Sequence, residues 1–131
     1  ISKIKKKFDV IILSHVLEHL VDFRKVLLNI KNLLVDDGIF FIEVPNCKNF
    51  EMLEHSIYTQ PHLHHFTKLS LEILLKDLGF KIIRIDTFSA NVVSLTDHFK
   101  YLLKWIFKLD HYILAPENQG NNLRIIITHD K

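Results

Sequence analysis

FDVIILSHVLEHLVDFRKVLLNIKNLLVDDGIFFIEVPN, residues 8–46, carries the clearest structural pattern in this chain. It begins with a nearly continuous apolar run, residues 8–13, which is typical of a strand buried on both faces of a parallel sheet. From Phe23 the apolar residues recur at i, i+3, i+4 and i+7, and this spacing predicts an amphipathic helix with Asp22 as its N-cap. A second apolar run, residues 39–44, predicts another strand. The stretch therefore predicts a β-α-β unit with two parallel strands.

Two glycines are predicted to end helices in the left-handed conformation. Gly38 has this role after the first helix, and Gly79 has it after a second helix that begins at Thr67. The apolar residues of the second helix follow helical spacing: Leu71, Leu74, Leu75 and Leu78. Residues 80–88 and 123–129 are predicted strands, with a helical insertion, residues 89–122, between them. No clear period is visible between residues 46 and 67.

Three segments of this sequence resemble a known family: DVIILSHVLEHL, IFFIEVPN and HLHHFTKLSLEILLKDLGFKIIRID. They are similar to the C-terminal half of class I S-adenosylmethionine-dependent methyltransferases, in the group that contains ubiquinone-biosynthesis O-methyltransferases and other small-molecule methylases. The resemblance implies an α/β fold, the C-terminal half of a Rossmann-like sheet. In that sheet the last strand runs antiparallel between its two predecessors, so the order is first, second, fourth, third. It also implies methyl transfer from S-adenosylmethionine to a small-molecule acceptor.

A glycine-rich cofactor loop is missing from this chain. Such a loop brings backbone amides and a helix N-terminus close to a nucleotide cofactor, but the chain has three glycines, each standing alone. It begins at Ile1 and reaches a core strand within about eight residues. We therefore expect residues 1–131 to be a single partial domain, inactive alone, that works with a missing N-terminal half. The alternative is a non-catalytic binding or assembly module built on half a sheet.

Composition limits the other interpretations. A chain of 131 residues forms one domain at most, and its 48% hydrophobic content suggests surface that faces a partner. The net charge of +2 predicts no nucleic-acid partner, and the single cysteine, Cys47, suits a cytoplasmic enzyme. Strand 8–13 would be an open edge, so we expect association of two copies there. A membrane-surface contact stays open because the insertion has lysines at helical spacing: Lys100, Lys104 and Lys108.

The carboxyl ends of parallel strands are where ligands bind in open α/β sheets. This rule selects Ser14, His15 and Val16 after the first strand, and Pro45 and Asn46 after the second. The resemblance implies that Ser14, His15 and Val16 lie along the methionine part of S-adenosylmethionine. Pro45 and Asn46, with His62, are expected to contact the acceptor. The alternative for Ser14 and His15 is that they only satisfy backbone groups of the turn.

The histidines form two groups near these positions. His15 and His19 are four residues apart with Glu18 beside them, and they share a face if the turn is already helical. The second group, His62, His64 and His65, precedes a helix that faces the same site in the resembling family. We expect His19, His64 and His65 to be catalytic, because a neutral imidazole can remove a proton from the acceptor. Alignment of the acceptor with the methyl group can supply most of the rate, so a base is optional.

A metal site is the alternative to histidine bases, although the favoured interpretation needs no metal. The pattern His15-x-x-Glu18-His19, with His64 or His65, resembles the divalent-metal residues of small-RNA 2′-O-methyltransferases and some ubiquinone-pathway enzymes. The set would be His15, Glu18, His19 and His65 in its most complete form. Nitrogen-rich ligands favour zinc-like ions over magnesium.

Overall fold

The computed structural model describes residues 4–58, 62–88 and 120–129, together with Leu103 and Phe107. The elements in chain order are β1 (Phe8–Ser14), a 3₁₀ turn (Leu17–His19), α1 (Phe23–Leu33), β2 (Leu34–Pro45), α2 (Phe50–Tyr58), α3 (Lys68–Asp77), β3 (Phe80–Phe88) and β4 (Asn122–His129). Most of the predicted insertion, residues 89–122, lies outside the described residues. None of the helices described here is long and apolar enough to cross a membrane.

The four strands form one sheet in the order β1-β2-β4-β3. β1 and β2 are parallel, whereas β4 is antiparallel to both β2 and β3. This arrangement confirms the predicted α/β fold and the predicted strand order. β2 and β3 are not neighbours, and the last strand fills the position between them.

The core lies on one face of the sheet, against α1 and α3. Alternate residues of β2 and β4 point to that face, as the two-residue period of a strand requires. These residues are Phe40, Ile42, Val44, Leu123, Ile125 and Ile127, and all are buried. α1 contributes Leu27 and Ile30, and α3 contributes Leu71, Leu74 and Leu75.

The start of α1 agrees with the sequence, but its end does not. Asp22 caps the helix, since its Oδ1 accepts a hydrogen bond from the Lys25 amide at 3.1 Å. The prediction that Gly38 ends this helix is wrong, because α1 ends at Leu33 and β2 begins at the next residue. Gly38 lies inside β2, and among the described glycines only Gly79 has a positive φ.

Gly38 is instead part of a bulge in β2. Leu34 pairs with Phe8 and Ile39 pairs with Val10, so residues 35–38 all stand opposite a single residue of β1. A Cβ atom at Gly38 would lie 2.7 Å from Cγ of Leu34. The position needs glycine because the bulge passes directly over this buried leucine.

α3 has the predicted ends. Thr67 Oγ1 accepts a hydrogen bond from the Ser70 amide at 3.2 Å, and Ser70 Oγ accepts one from the Thr67 amide at 2.9 Å. This reciprocal cap fixes the first turn of the helix. Gly79, with a φ of 72°, follows the last turn in the left-handed conformation.

The helix α2 was not predicted. Asn49 begins it by accepting hydrogen bonds at its Oδ1 from the amides of Glu51 and Met52, at 3.0 and 3.4 Å. Its sequence has no strong apolar stripe, and Ser56 is the only residue of the helix that is fully buried. The sequence signal for the start of this helix is Asn49 followed by an acidic residue in the first turn.

Candidate active site

The chain leaves β1 through a strained turn. Ser14 is the last residue of β1, and His15 has a φ of 52°, which is costly for a residue with a side chain. The His15 amide still donates to the Glu43 carbonyl of β2 at 2.9 Å, while Leu17 enters the core and anchors the 3₁₀ turn. The helical turn begins only at Leu17, so Glu18 and His19 lie within it and His15 lies before it.

Two buried carboxylates lie on either side of the His15 imidazole. Its Nδ1 is 3.5 Å from Oε1 of Glu18, and its Nε2 is 3.2 Å from Oε1 of Glu43. The nearby carboxylate of Glu18, and then that of Glu43, raise the pKa of His15 to about 9, against the opposing effect of burial. His15 is therefore positively charged at neutral pH. The other oxygen of Glu43 accepts a hydrogen bond from Nε of Arg124 on β4.

The segment before α3 is fastened to the same turn. The amides of Leu63 and His64 both donate to the Glu18 carbonyl, at 3.0 and 3.1 Å. The rings of His19 and His62 meet edge to face, with their centroids 4.6 Å apart. The two histidine groups expected from the sequence therefore converge at the carboxyl end of β1.

His62 is held from its other side by α2. Its Nδ1 is hydrogen-bonded to Oγ of Ser56 at 2.6 Å, and Ser56 is buried. Burial lowers the pKa of His62, and nearby histidines lower it further, against the attraction of Glu18. A neutral His62 is the form that can accept a proton or bind a cation.

His64 and His65 lie in different surroundings. His64 donates its Nε2 proton to the Leu20 carbonyl at 3.0 Å, and its ring packs edge to face against Phe23, with 4.6 Å between centroids. This half-buried position ties the segment to the start of α1. His65 is exposed on the next residue, in front of the buried Phe66.

The two residues at the end of β2 are buried and contact the start of β4. Asn46 is fully buried; its amide donates to the Asn121 carbonyl and its side-chain Nδ2 to the Gly120 carbonyl, both at 2.8 Å. Asn46 therefore joins the end of β2 to the start of β4. Pro45, the last residue of β2, is opposite Asn122 in β4.

One group in the described part of the chain has the spacing of metal ligands. Glu18, His19 and His62 each offer one ligand atom, and these atoms lie within 4.8 Å of one another. The group differs from the set suggested by the sequence, because it contains His62 and excludes His15 and His65. Neither carboxylate oxygen of the buried Glu18 makes a hydrogen bond with the residues described here.

The sequence did not single out three buried polar residues of this region: Glu43, Arg124 and Ser56. Glu43 and Arg124 are charged residues inside apolar strands, which is itself a signal, since such residues are rarely buried without a partner. Ser56 gave no comparable signal, because α2 itself was not predicted.

Comparisons with known proteins identify a family. The sequence profile described as "Methyltransferase domain" matches residues 1–85. None of the curated proteins compared with the chain matches it.

Solved structures also resemble this chain. An S-adenosylmethionine-dependent methyltransferase from Archaeoglobus fulgidus superposes with a TM-score of 0.57 at 24% identity, over 94% of this chain and 60% of that one. A Thermotoga maritima methyltransferase, described as a possible histamine N-methyltransferase, has a TM-score of 0.68 at 14% identity, over 97% and 60%. A third, from Clostridium acetobutylicum, has a TM-score of 0.61 at 10% identity, over 98% and 61%. These identities establish similarity of fold, and the chain spans about 60% of the length of these proteins.

Proposed function

This chain belongs to the methyltransferase domain family, and from that premise we propose that it forms one side of a site for methyl transfer from S-adenosylmethionine to a small-molecule acceptor. The observation that carries the proposal is the joining of the turn after β1 to the segment before α3. Both the Leu63 and His64 amides bind the Glu18 carbonyl, so His19 and His62 are held together at the carboxyl end of the parallel strands. That edge is where α/β sheets of this type bind ligands.

The turn Ser14–Val16 is the part of this chain that fits the cofactor. His15 and Val16 are exposed beside the end of β1, and the left-handed conformation of His15 is a strained feature of a kind that concentrates at ligand sites. S-adenosylmethionine, when bound, supplies a methyl group on a positively charged sulfur. The turn would line its methionine part through backbone groups, as the family resemblance implies.

On this proposal, the residues of this chain line only one side of the cofactor. The three glycines are far apart, and each has a local role: Gly38 passes over Leu34, Gly79 ends α3, and Gly120 packs against the Phe88 backbone. We infer that a glycine-rich segment outside these 131 residues supplies the other side of the cofactor site. On this proposal the 131-residue chain alone does not transfer methyl groups.

The acceptor would lie against the histidines. The His19 side chain is half-exposed, and its Nε2 is 4.0 Å from Oε1 of Glu18. An exposed imidazole at this position can take the proton of the acceptor, and on this proposal His19 has that role, while His62, Pro45 and the exposed His65 form the walls. We assign His64 to positioning, because its Nε2 proton is already donated to Leu20. Alignment of acceptor and methyl group remains the main source of rate.

Calorimetric titration with the demethylated cofactor, S-adenosylhomocysteine, tests the proposal without knowledge of the acceptor. The titration uses this chain alone and this chain joined to the segment encoded immediately upstream in its gene. We expect binding only in the joined form. Val16→Arg in the joined form should weaken that binding at least tenfold, whereas Val21→Arg, at a position that is 85% exposed, should leave it unchanged.

Two results would contradict parts of the proposal. Tight binding by the 131-residue chain alone would remove the need for an outside segment. Binding by neither form would overturn the cofactor site and favour a non-catalytic assembly module. The same titration therefore separates an enzyme half from a binding module.

A further inference from the structure

We propose that Glu18, His19 and His62 bind a divalent transition-metal ion of zinc-like preference on the acceptor side of this site. The binding of the ion is inferred from this chain's own geometry. Its catalytic role, described below, rests on the proposed function.

The first support is that the three ligand atoms are already close together. They lie within 4.8 Å of one another, although Glu18 and His19 belong to the turn after β1 and His62 belongs to the segment before α3. The backbone hydrogen bonds from Leu63 and His64 to the Glu18 carbonyl hold these segments in place. Zinc bonds are about 2.0 to 2.2 Å long, so the three side chains would close on an ion bound between them.

The second support is the state of the Glu18 carboxylate. The side chain is 1% exposed, and neither oxygen makes a hydrogen bond within the described residues. A buried carboxylate without such bonds is costly unless a cation is close to it. The nearest atom of His15, Nδ1, is 3.5 Å from Oε1 of Glu18, so this ring lies beside the carboxylate without forming a hydrogen bond to it. A metal ion bound to Glu18 would give this buried carboxylate a bonded partner.

The third support is the hydrogen bond between Ser56 and His62. Histidines that bind a metal through one ring nitrogen commonly donate the N–H of the other nitrogen to a fixed acceptor. Ser56 Oγ is buried and lies 2.6 Å from Nδ1 of His62, so it can accept a hydrogen bond from the Nδ1–H group and leave Nε2 for the ion. The position of Ser56 thus explains the orientation of a ring that reaches the site from a different segment.

The composition of the group selects the kind of ion. Two imidazoles and one carboxylate suit zinc and related first-row ions, whereas magnesium prefers oxygen ligands. Three protein ligands leave a fourth tetrahedral position open. Since His19 is half-exposed, this position can face the acceptor.

An acceptor hydroxyl at the open position would become more acidic. Its proton would leave to solvent, and its oxygen would then bond to the methyl carbon as the carbon–sulfur bond breaks. The electron pair of the broken bond stays on sulfur, which becomes a neutral thioether. With an ion bound, His19 would serve as a ligand, and the acidity that the ion gives the acceptor would replace the proton transfer to His19 described above.

Elemental analysis and metal titration of the 131-residue chain test the site independently of activity. After dialysis against zinc and then metal-free buffer, we expect one zinc per chain. Cobalt in its place should give the visible absorption of a tetrahedral site. His19→Gln and His62→Gln should each lower zinc affinity at least tenfold, and Ser56→Ala should lower it about 10- to 100-fold. His55→Gln is the matched control, because His55 is an exposed histidine of α2 outside the group.

The outcomes separate the site from the proposed function. A chain that retains no zinc, or a His62→Gln variant that binds it as tightly as the original, overturns the metal site. Circular dichroism shows whether each variant is folded, and the exposed His19 provides a second variant if another fails. Cofactor binding without zinc binding leaves the proposed function intact and removes this inference. Zinc binding without cofactor binding supports the metal site and contradicts the proposed function.

Discussion

Arg124 donates a hydrogen bond from Nε to the Glu43 carboxylate, and both side chains are completely buried. The two residues are directly opposite each other in the antiparallel pair of β2 and β4. The guanidinium also lies over the Phe88 ring, with its central carbon 3.5 Å from the ring centroid. Since Glu43 contacts His15 as well, this pair connects the last strand to the turn of the candidate site.

We predict that Glu43→Gln lowers the free energy of unfolding by about 3 to 5 kcal/mol, because it leaves the positive charge of Arg124 buried without its counter-ion. Urea unfolding followed by circular dichroism measures the loss. Arg24→Gln is the control, because the Arg24–Asp77 pair has a 2.7 Å contact but both side chains are more than half exposed. That variant should lose less than about 1 kcal/mol. Equal losses in the two variants would contradict this account.

The Glu43–Arg124 pair also shows how far the sequence could predict the fold. The apolar runs and the resemblance were sufficient for the strand order, and therefore for β2 and β4 being neighbours. They did not give the register, and a slip of one residue would move Glu43 and Arg124 to opposite faces of the sheet. The pair depends on long-range pairing that no local pattern reports.

The candidate site was predictable to a similar degree. The sequence placed the turn after β1 and the histidines before α3 near each other, and the structure joins them through the Glu18 carbonyl. It could not indicate that His62, rather than His65, faces Glu18. That choice depends on Ser56 of α2, a helix with little apolar periodicity. The prediction that Gly38 ends α1 was wrong because a bulge and a helix end both favour glycine.

Two glycines should respond differently to alanine. Gly79 has a φ of 72°, and its added Cβ would meet only the movable end of the Lys31 side chain, so Gly79→Ala should cost about 1 to 2 kcal/mol. At Gly120 the Cβ would lie 2.4 Å from the Phe88 backbone nitrogen, which cannot move without disturbing β3. Gly120→Ala should therefore destabilise the chain more than Gly79→Ala does. Thermal unfolding compares the variants, and Gly79→Asn, which tolerates the left-handed region, should recover part of the first loss.

Cys47 should make stability depend on pH in the alkaline range. Burial raises the pKa of its thiol, against hydrogen bonding with the Phe66 backbone and the Ser56 side chain, which lowers it. As pH rises past the ordinary thiol pKa, the unfolded chain releases the proton while the folded chain keeps it, so the folded state loses stability. The unfolding free energy should fall more between pH 8 and 10 in the original chain than in Cys47→Ala. Identical pH profiles would show that the thiol is not buried enough to matter.

The outer edge of β1 is the last feature with a testable consequence. In the described sheet β1 pairs only with β2, and two apolar residues of β1 are substantially exposed, Val10 at 55% and Ile12 at 46%. The opposite edge strand, β3, carries an ion pair between Arg84 and Asp86, and charged residues protect edges from pairing. Association of two copies should therefore use β1.

We predict that the 131-residue chain associates with increasing concentration, and that Ile12→Lys shifts it toward monomer by placing a charge on the pairing edge. Sedimentation equilibrium measures both effects. Leu28→Lys is the matched control, because Leu28 is similarly exposed, at 45%, but belongs to α1. A chain that stays monomeric at all concentrations would contradict the prediction, and an equal shift in both variants would place the contact elsewhere. If the glycine-rich segment proposed above covers this edge, joining it to the chain should abolish the association as Ile12→Lys does, because one edge cannot pair with two strands.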